Sequence, residues 1–306
     1  MSAFWNLPMD LVIVRHGQSE ANVMADMNKR GDRSAQEAMA TAKRHDCNMR
    51  LTDLGREQAR TVGAWLRGNG PKFDAFYVSE YIRTKETAGE MSLDGAVWQP
   101  DLMIRERDQG VQDGGGDVKQ GLDPEEQFRL DKSPLFWCPL GGESMADVVT
   151  RVRHFLETLS SCAAGMRVVV VCHYRTIHAF RMLLEDIPME RCPQLLTTKM
   201  PNCCVWWYSR RDQSGETTPH LSSVRRVAVS VDKATGEQTV DEQQWPVQRV
   251  TFTSAALLEQ VAGIPQVVNG GPAGTGEVVE GGAEAAAATP RPDAGGALPE
   301  AKRQRT

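Results

Sequence analysis

Three stretches place an imidazole or a guanidinium just after an apolar run: Arg15 and His16 after residues 11–14, Arg83 shortly after Val78, and His173 after the four valines at 168–171. Each run has the length and β-branched content of a buried strand, and a helical pattern follows each. In an open parallel sheet, ligands lie beyond the carboxyl ends of the strands, where helix N-termini offer free N–H groups to anions. Two Arg and two His gathered at such an edge would suit a dianion with several acceptor oxygens, which describes a phosphoryl group. A neutral imidazole there can act as nucleophile, because the neighbouring cations stabilise charge on the group in transfer. His16 is therefore a candidate for transient phosphorylation, and the leaving alkoxide calls for an acid nearby. Gly17 suits a close approach of backbone to an oxyanion and a left-handed turn.

Positioning these groups requires alternating strands and helices, and residues 1–265 supply them. The expected fold is α/β and three-layer, a mostly parallel central sheet flanked by helices. Strands are predicted at 11–14, 73–78 and 168–171, with late strands in "CCVWWYSR" and in "VAVSVDKATGEQTV", the latter a hairpin around Thr235 and Gly236. Thr52 and Ser79 are read as helix caps, which puts Arg83 in the first turn of its helix. Ser144 caps a helix whose Met145, Val148, Val149, Val152, Phe155, Leu156 and Leu159 form one core stripe. Glu125 and Glu126 read as a solvated helix start. Residues 270–306 are rich in Gly, Ala and Pro and are expected to be a disordered tail ending in a solvated "KRQR".

Composition narrows the function further. A net charge of -5 over 306 residues argues against a nucleic-acid partner or a membrane surface, so any anion site must be a local cluster of cations. No apolar run reaches the length of a membrane span and no leader is evident, which gives an expected cytoplasmic location. Seven Cys without a C-x-x-C pair read as reduced thiols, with Cys203 and Cys204 suited to a strand rather than a metal site. "QDGGGD", with Asp113 and Asp117, lacks the alternating spacing of a calcium loop. No metal and no other cofactor is indicated, and His45, His154, His178 and His220 read as structural.

The chain resembles the histidine phosphatase superfamily, which includes cofactor-dependent phosphoglycerate mutases. "RHGQSEAN" matches its opening R-H-G-x-S-x-x-N signature, "LTDLGREQA" the following helix, "VSEYIRTKETA" the second-Arg motif, and "GGES" with "DVVTRV" a later helix start. These motifs span roughly residues 10–185 and occur in family order. The resemblance implies that His16 is the nucleophile, that Arg15, Arg83 and His173 hold phosphoryl oxygens, and that Gln18, Ser19 and Asn22 line the same loop with Gly17. It places the proton-donor Glu at Glu106. It implies a phosphorylated small molecule as partner and a metal-independent phosphomonoester hydrolase, with a phosphoglycerate mutase-type phosphotransferase as the alternative. A non-catalytic phosphate-binding or scaffold protein is the alternative of another class. Three departures stand out. Tyr174 occupies a position where the family usually has Gly, so the turn after His173 loses ready access to positive φ and the pocket gains a ring. An insert at 23–50 reads as an exposed helix, with a cation-bearing substrate lid as the other option. The aromatic-bearing motif that follows the signature in the mutases is missing.

Overall fold

A computed structural model describes residues 6–32, 34, 45–110, 122–231, 238–247 and 250–264. The hairpin turn at Thr235 and Gly236, the "QDGGGD" stretch and the 270–306 tail lie outside the described residues. The chain divides into a unit up to Arg249 and a second from Val250. In the second, one described helix, Ser254–Val261, is capped by Thr253 and buries none of its residues.

The first unit is an α/β/α sandwich. Its strands are β1 Asp10–Arg15, β2 Ala75–Ser79, β3 Trp98–Asp101, β4 Arg167–Cys172, β5 Val205–Ser209, β6 Ser223–Val231 and β7 Gln238–Pro246. They form one sheet in the order β3-β2-β4-β1-β5-β6-β7. The first four in sequence are mutually parallel, and β5, β6 and β7 extend the sheet by antiparallel pairs. The α-helices among its described residues are α1 Glu20–Lys29, α2 Asp53–Asn69, α3 Ile82–Met91, α4 Pro124–Lys132, α5 Met145–Cys162, α6 Tyr174–Leu184 and α7 Cys192–Thr197.

Strand alternation sorts the core into two layers. Leu11, Ile13, Val168 and Val170 face Val148, Val152 and Phe155 of α5 and Ile177 and Phe180 of α6. Val12, Val14, Val169 and Val171 face Ala59, Val62 and Leu66 of α2 and Ala88 and Met91 of α3. Burial on both faces explains why β1 and β4 read as unbroken apolar runs, and each fully buried Val, Leu or Ile contributes about 1.5–3 kcal/mol. Among the described residues no helix is long and apolar enough to cross a membrane.

Register brings the strand ends together. β4 lies between β2 and β1; Arg15 pairs across from Cys172, and Val171 is flanked by Val14 and Val78. The three carboxyl ends are therefore level, and the residues after them share one rim. Two local expectations change here. Ser79 is not the cap of α3: the ladder to Asp101 carries β2 through Ser79, and the helix starts after Tyr81. Cys203 and Cys204 precede β5 rather than lying in it, because Cys203 has a left-handed φ of 56° that ends the incoming turn.

Candidate active site

His16 follows β1 directly and is 3% exposed. Its Nδ1 lies 2.7 Å from the Gly17 carbonyl; a carbonyl only accepts, so Nδ1 carries the ring proton and Nε2 keeps its lone pair. Burial, then the Arg83 and Arg15 charges, hold the imidazole pKa well below 6.5, which keeps the ring neutral. The peptide after it is fixed by Gly17 N–H donating to Thr87 Oγ1 at 3.0 Å.

Gly17 serves packing rather than a left-handed turn. It is not among the described glycines with positive φ, and a Cβ on it would lie 2.3 Å from the Gly55 carbonyl oxygen. Two facing glycines let the start of α2 press on the signature loop. Gln18 joins the same contact: its Oε1 accepts from Thr52 Oγ1 at 2.8 Å and its N–H donates to Gln58 Oε1 at 2.9 Å. Neither residue is on the cleft wall. Ser19 and Asn22 are, joined by the capping box of α1.

The two arginines are anchored by one edge each. Arg15 donates through Nη1 to the Met200 carbonyl, and its guanidinium lies 5.3 Å from the centre of the Tyr174 ring. Arg83, 3% exposed, donates through Nη1 to the Asp46 carbonyl and through Nη2 to Asp46 Oδ2, both at 2.8 Å. The Nε atoms of both are buried and unpartnered. Asp46 is held in place because its neighbours dock on α3: Arg50 Nε donates to Glu86 Oε1 at 2.8 Å and Leu51 N–H to Glu86 Oε2 at 2.6 Å.

His173 is fully buried beside His16, with ring centres 5.2 Å apart. Its Nε2 lies 2.8 Å from Ser79 Oγ, while Nδ1 is buried without a partner. Burial and then the Arg83 charge push its pKa well below 6.5. Glu106 enters from the loop after the short turn Leu102–Ile104. Its Oε1 accepts from Arg107 N–H at 3.0 Å and from Arg175 N–H, in the first turn of α6, at 3.1 Å. Arg151 holds that loop through the Met103 carbonyl at 2.6 Å and the Glu106 carbonyl at 3.2 Å, and is itself held by Glu143 Oε1 at 3.0 Å.

Arg15, His16, Ser19, Asn22, Arg83 and Glu106 share a cleft of about 310 Å³ with Ala21, Ala25, Lys29, Asp46, Arg107, Gln109, Tyr174 and Arg175. Five basic side chains face two carboxylates there, a local cation cluster in an acidic chain. The described ends of the 23–50 segment give the cleft Ala25, Lys29 and Asp46, and Met24 of α1 packs on Met49; residues 33 and 35–44, on which the exposed-helix and lid readings turn, lie outside the described ones. Tyr174 needs no positive φ, because it opens α6; its hydroxyl donates to the Thr198 carbonyl at 2.7 Å and its ring becomes cleft wall. Sequence reading missed Asp46, Arg107 and Arg175 as cleft residues and took Ser79 for a cap, although its place at a level strand end was a usable signal. Among the described residues no cluster of three or more His, Cys, Asp or Glu could hold a metal ion.

Residues 11–219 match the histidine phosphatase superfamily, branch 1. The chain belongs to that superfamily. A 2,3-bisphosphoglycerate-dependent phosphoglycerate mutase of Azorhizobium caulinodans is 35% identical over 187 residues, 59% of this chain and 83% of the relative. The mutase of the same name from Sinorhizobium fredii is 33% identical over 201 residues, 62% of this chain and 87% of that one. A mycobacterial glucosyl-3-phosphoglycerate phosphatase, solved in complex with VO3, has a TM-score of 0.51 at 25% identity and covers 66% of this chain and 91% of its own. An Entamoeba histolytica phosphoserine phosphatase in complex with 3-phosphoglyceric acid shares the fold, with a TM-score of 0.50 at 19% identity over 65% of this chain and 89% of that one.

Proposed function

We propose that this chain is a metal-independent phosphomonoester hydrolase that works through a phosphohistidine on His16, with Glu106 as proton donor. The observation that carries the reading is the orientation of His16, neutral and with its only proton committed to the Gly17 carbonyl. Two buried guanidinium N–H donors beside it have no partners, Arg15 Nε and Arg83 Nε; His173, fully buried with its ring centre 5.2 Å away, is not on the cleft wall. Phosphoryl oxygens would satisfy the two donors, and a ground state that leaves such groups waiting favours the charge of the transferring phosphoryl group.

In the first half-reaction His16 Nε2 attacks phosphorus, the bond to the ester oxygen breaks, and Glu106 gives its proton to the departing alkoxide. In the second, the Glu106 carboxylate takes a proton from water as that water attacks the phosphohistidine, releasing phosphate and free imidazole. Hydrolysis is preferred over return of the phosphoryl group to substrate because the chain lacks the aromatic segment that follows the signature in the mutases. A mutase must exclude water while its intermediate reorients.

Mutase activity is the second reading. It is favoured by the 35% identity to a named mutase and by Arg107 and Arg175 in the cleft, which could meet a second anionic group. The discriminating assay supplies 3-phosphoglycerate with and without bisphosphoglycerate and follows isomer exchange and free phosphate together. The expected result is phosphate release from this or other monoesters, insensitive to chelator. Isomer exchange exceeding release by orders of magnitude would establish the mutase. Neither activity across a panel of phosphorylated metabolites would leave a phosphate-binding scaffold.

A further inference from the structure

The peptide joining His16 to Gly17 is pinned at both ends from distant parts of the chain. On one side Gly17 N–H donates to Thr87 Oγ1 at 3.0 Å, and that hydroxyl gives its own proton to the Arg83 carbonyl at 2.7 Å. On the other side the His16 carbonyl accepts from Asn202 Nδ2 at 3.0 Å and from Cys203 N–H at 3.3 Å. Asn202 Nδ2 also donates to Asn22 Oδ1 at 3.1 Å. Asn22 Oδ1 further accepts from Ser19 N–H at 3.1 Å and Ser19 Oγ at 3.2 Å. With that oxygen filled, the amide nitrogen is the polar atom Asn22 has left for the cleft it lines.

The turn supplying these donors is strained. Cys203 is a buried, non-glycine residue at φ 56°, a conformation that persists only where surrounding contacts over-determine it and that collects at functional sites. Met200, two residues before Asn202, belongs to the same device, since its carbonyl anchors Arg15.

We propose that Asn202 and Thr87 are positioning residues for the nucleophile: they clamp the 16–17 peptide from opposite sides, and Asn202 also sets the Asn22 amide with its nitrogen toward the phosphoryl site. Neither touches the reacting atoms. The clamp fixes the direction of His16 Nε2, and a misplacement of about 1 Å in such a group can cost about a hundredfold in rate. This inference rests on the phosphohistidine reading above.

The test is single-turnover phosphorylation of His16 alongside equilibrium binding of inorganic phosphate, for the full chain and its Asn202→Ala, Thr87→Val and Thr87→Ser variants. Asn202→Ala and Thr87→Val should slow phosphorylation by about ten- to a hundredfold; phosphate affinity should stay within about threefold in Thr87→Val, which changes neither Arg side chain nor Asn22, and should fall by less than the rate in Asn202→Ala, which also releases the Asn22 amide. Thr87→Ser keeps the hydroxyl and should recover most of the rate. Phosphorylation within twofold of wild type in Asn202→Ala and Thr87→Val would overturn the proposal, and so would phosphate affinity falling in step with rate. If Asn202→Ala fails to fold, the contrast between Val and Ser at position 87 decides alone. A wild-type chain that forms no phosphohistidine at all would instead overturn the underlying reading, a result distinct from any difference between variants.

Discussion

Replacing Glu106 by Gln removes a proton and preserves almost everything else. The Gln carbonyl oxygen can accept the same two backbone N–H groups, from Arg107 at 3.0 Å and Arg175 at 3.1 Å. A proton-carrying Glu106 and a Gln both offer these N–H groups a neutral acceptor oxygen, at about 0.5–1.5 kcal/mol per bond, so the pair changes by less than about 2 kcal/mol. Glu106 is half-buried, and solvent screening reduces that figure. At about 2–4 °C per kcal/mol for a unit of this size, Tm should fall by less than about 8 °C. The chemical cost is larger, since a positioned general acid contributes about 10²–10⁴ in rate, or about 3–5 kcal/mol. That cost falls on alkyl phosphates, whose alkoxides leave poorly without a proton. Aryl phosphates with a stable phenolate should lose less than about tenfold. The assay is kcat/KM for one alkyl and one nitrophenyl ester on wild type and Glu106→Gln. Equal losses on both, or no loss on the alkyl ester, would refute the assignment. Asp46 would then be the other carboxylate on the cleft wall; Glu20 and Asp108 accept instead from Arg50 N–H and Gly110 N–H.

Arg83→Lys should cut kcat/KM by about ten- to a hundredfold, because one ammonium cannot keep Asp46 and also present the free guanidinium edge to a phosphoryl group; activity within twofold of wild type would contradict this. Gly17→Ala forces a Cβ to within 2.3 Å of the Gly55 carbonyl oxygen and should cost about 1–3 kcal/mol, read as a lower urea midpoint that an unstrained loop would not show. His16, His173 and His178 are buried with pKa values below 6.5, that of His178 at about 3, and burial is the main cause for each. Below pH 6.5 the unfolded chain therefore binds more protons than the folded one, so stability is intact above that pH and declines as pH falls toward the folded values. From pH 7.5 to 5.5 each imidazole should cost about 1.4 kcal/mol, about 4 kcal/mol for the three; a urea midpoint that does not drop over that range would show that the fold lets them protonate.

The strands and helices carrying the signature were legible because β1 and β4 are buried on both faces and α5 carries an unbroken stripe. Convergence of Arg15, Arg83 and His173 followed from their places at strand ends, and the level register of β1, β4 and β2 is what realises it. Groups that act through backbone atoms were not legible. Asn202 lies 186 residues from His16, and its pattern in the chain, between Pro201 and Cys203, carries no periodic signal. Asp46 reads as one acid among several in a polar insert until the chain folds it onto Arg83. Gly17 was recognisable as a required glycine, but the reason depends on Gly55, a partner 38 positions away that only packing reveals.

The most direct test is to quench the chain during turnover of a labelled phosphomonoester and map the phosphorylated residue, with His16→Ala in parallel. The expected result is an acid-labile, base-stable phosphohistidine at His16 in the wild type, and neither label nor turnover in the folded variant. Turnover without a phosphoenzyme, label on another residue, or full activity in His16→Ala would contradict the account.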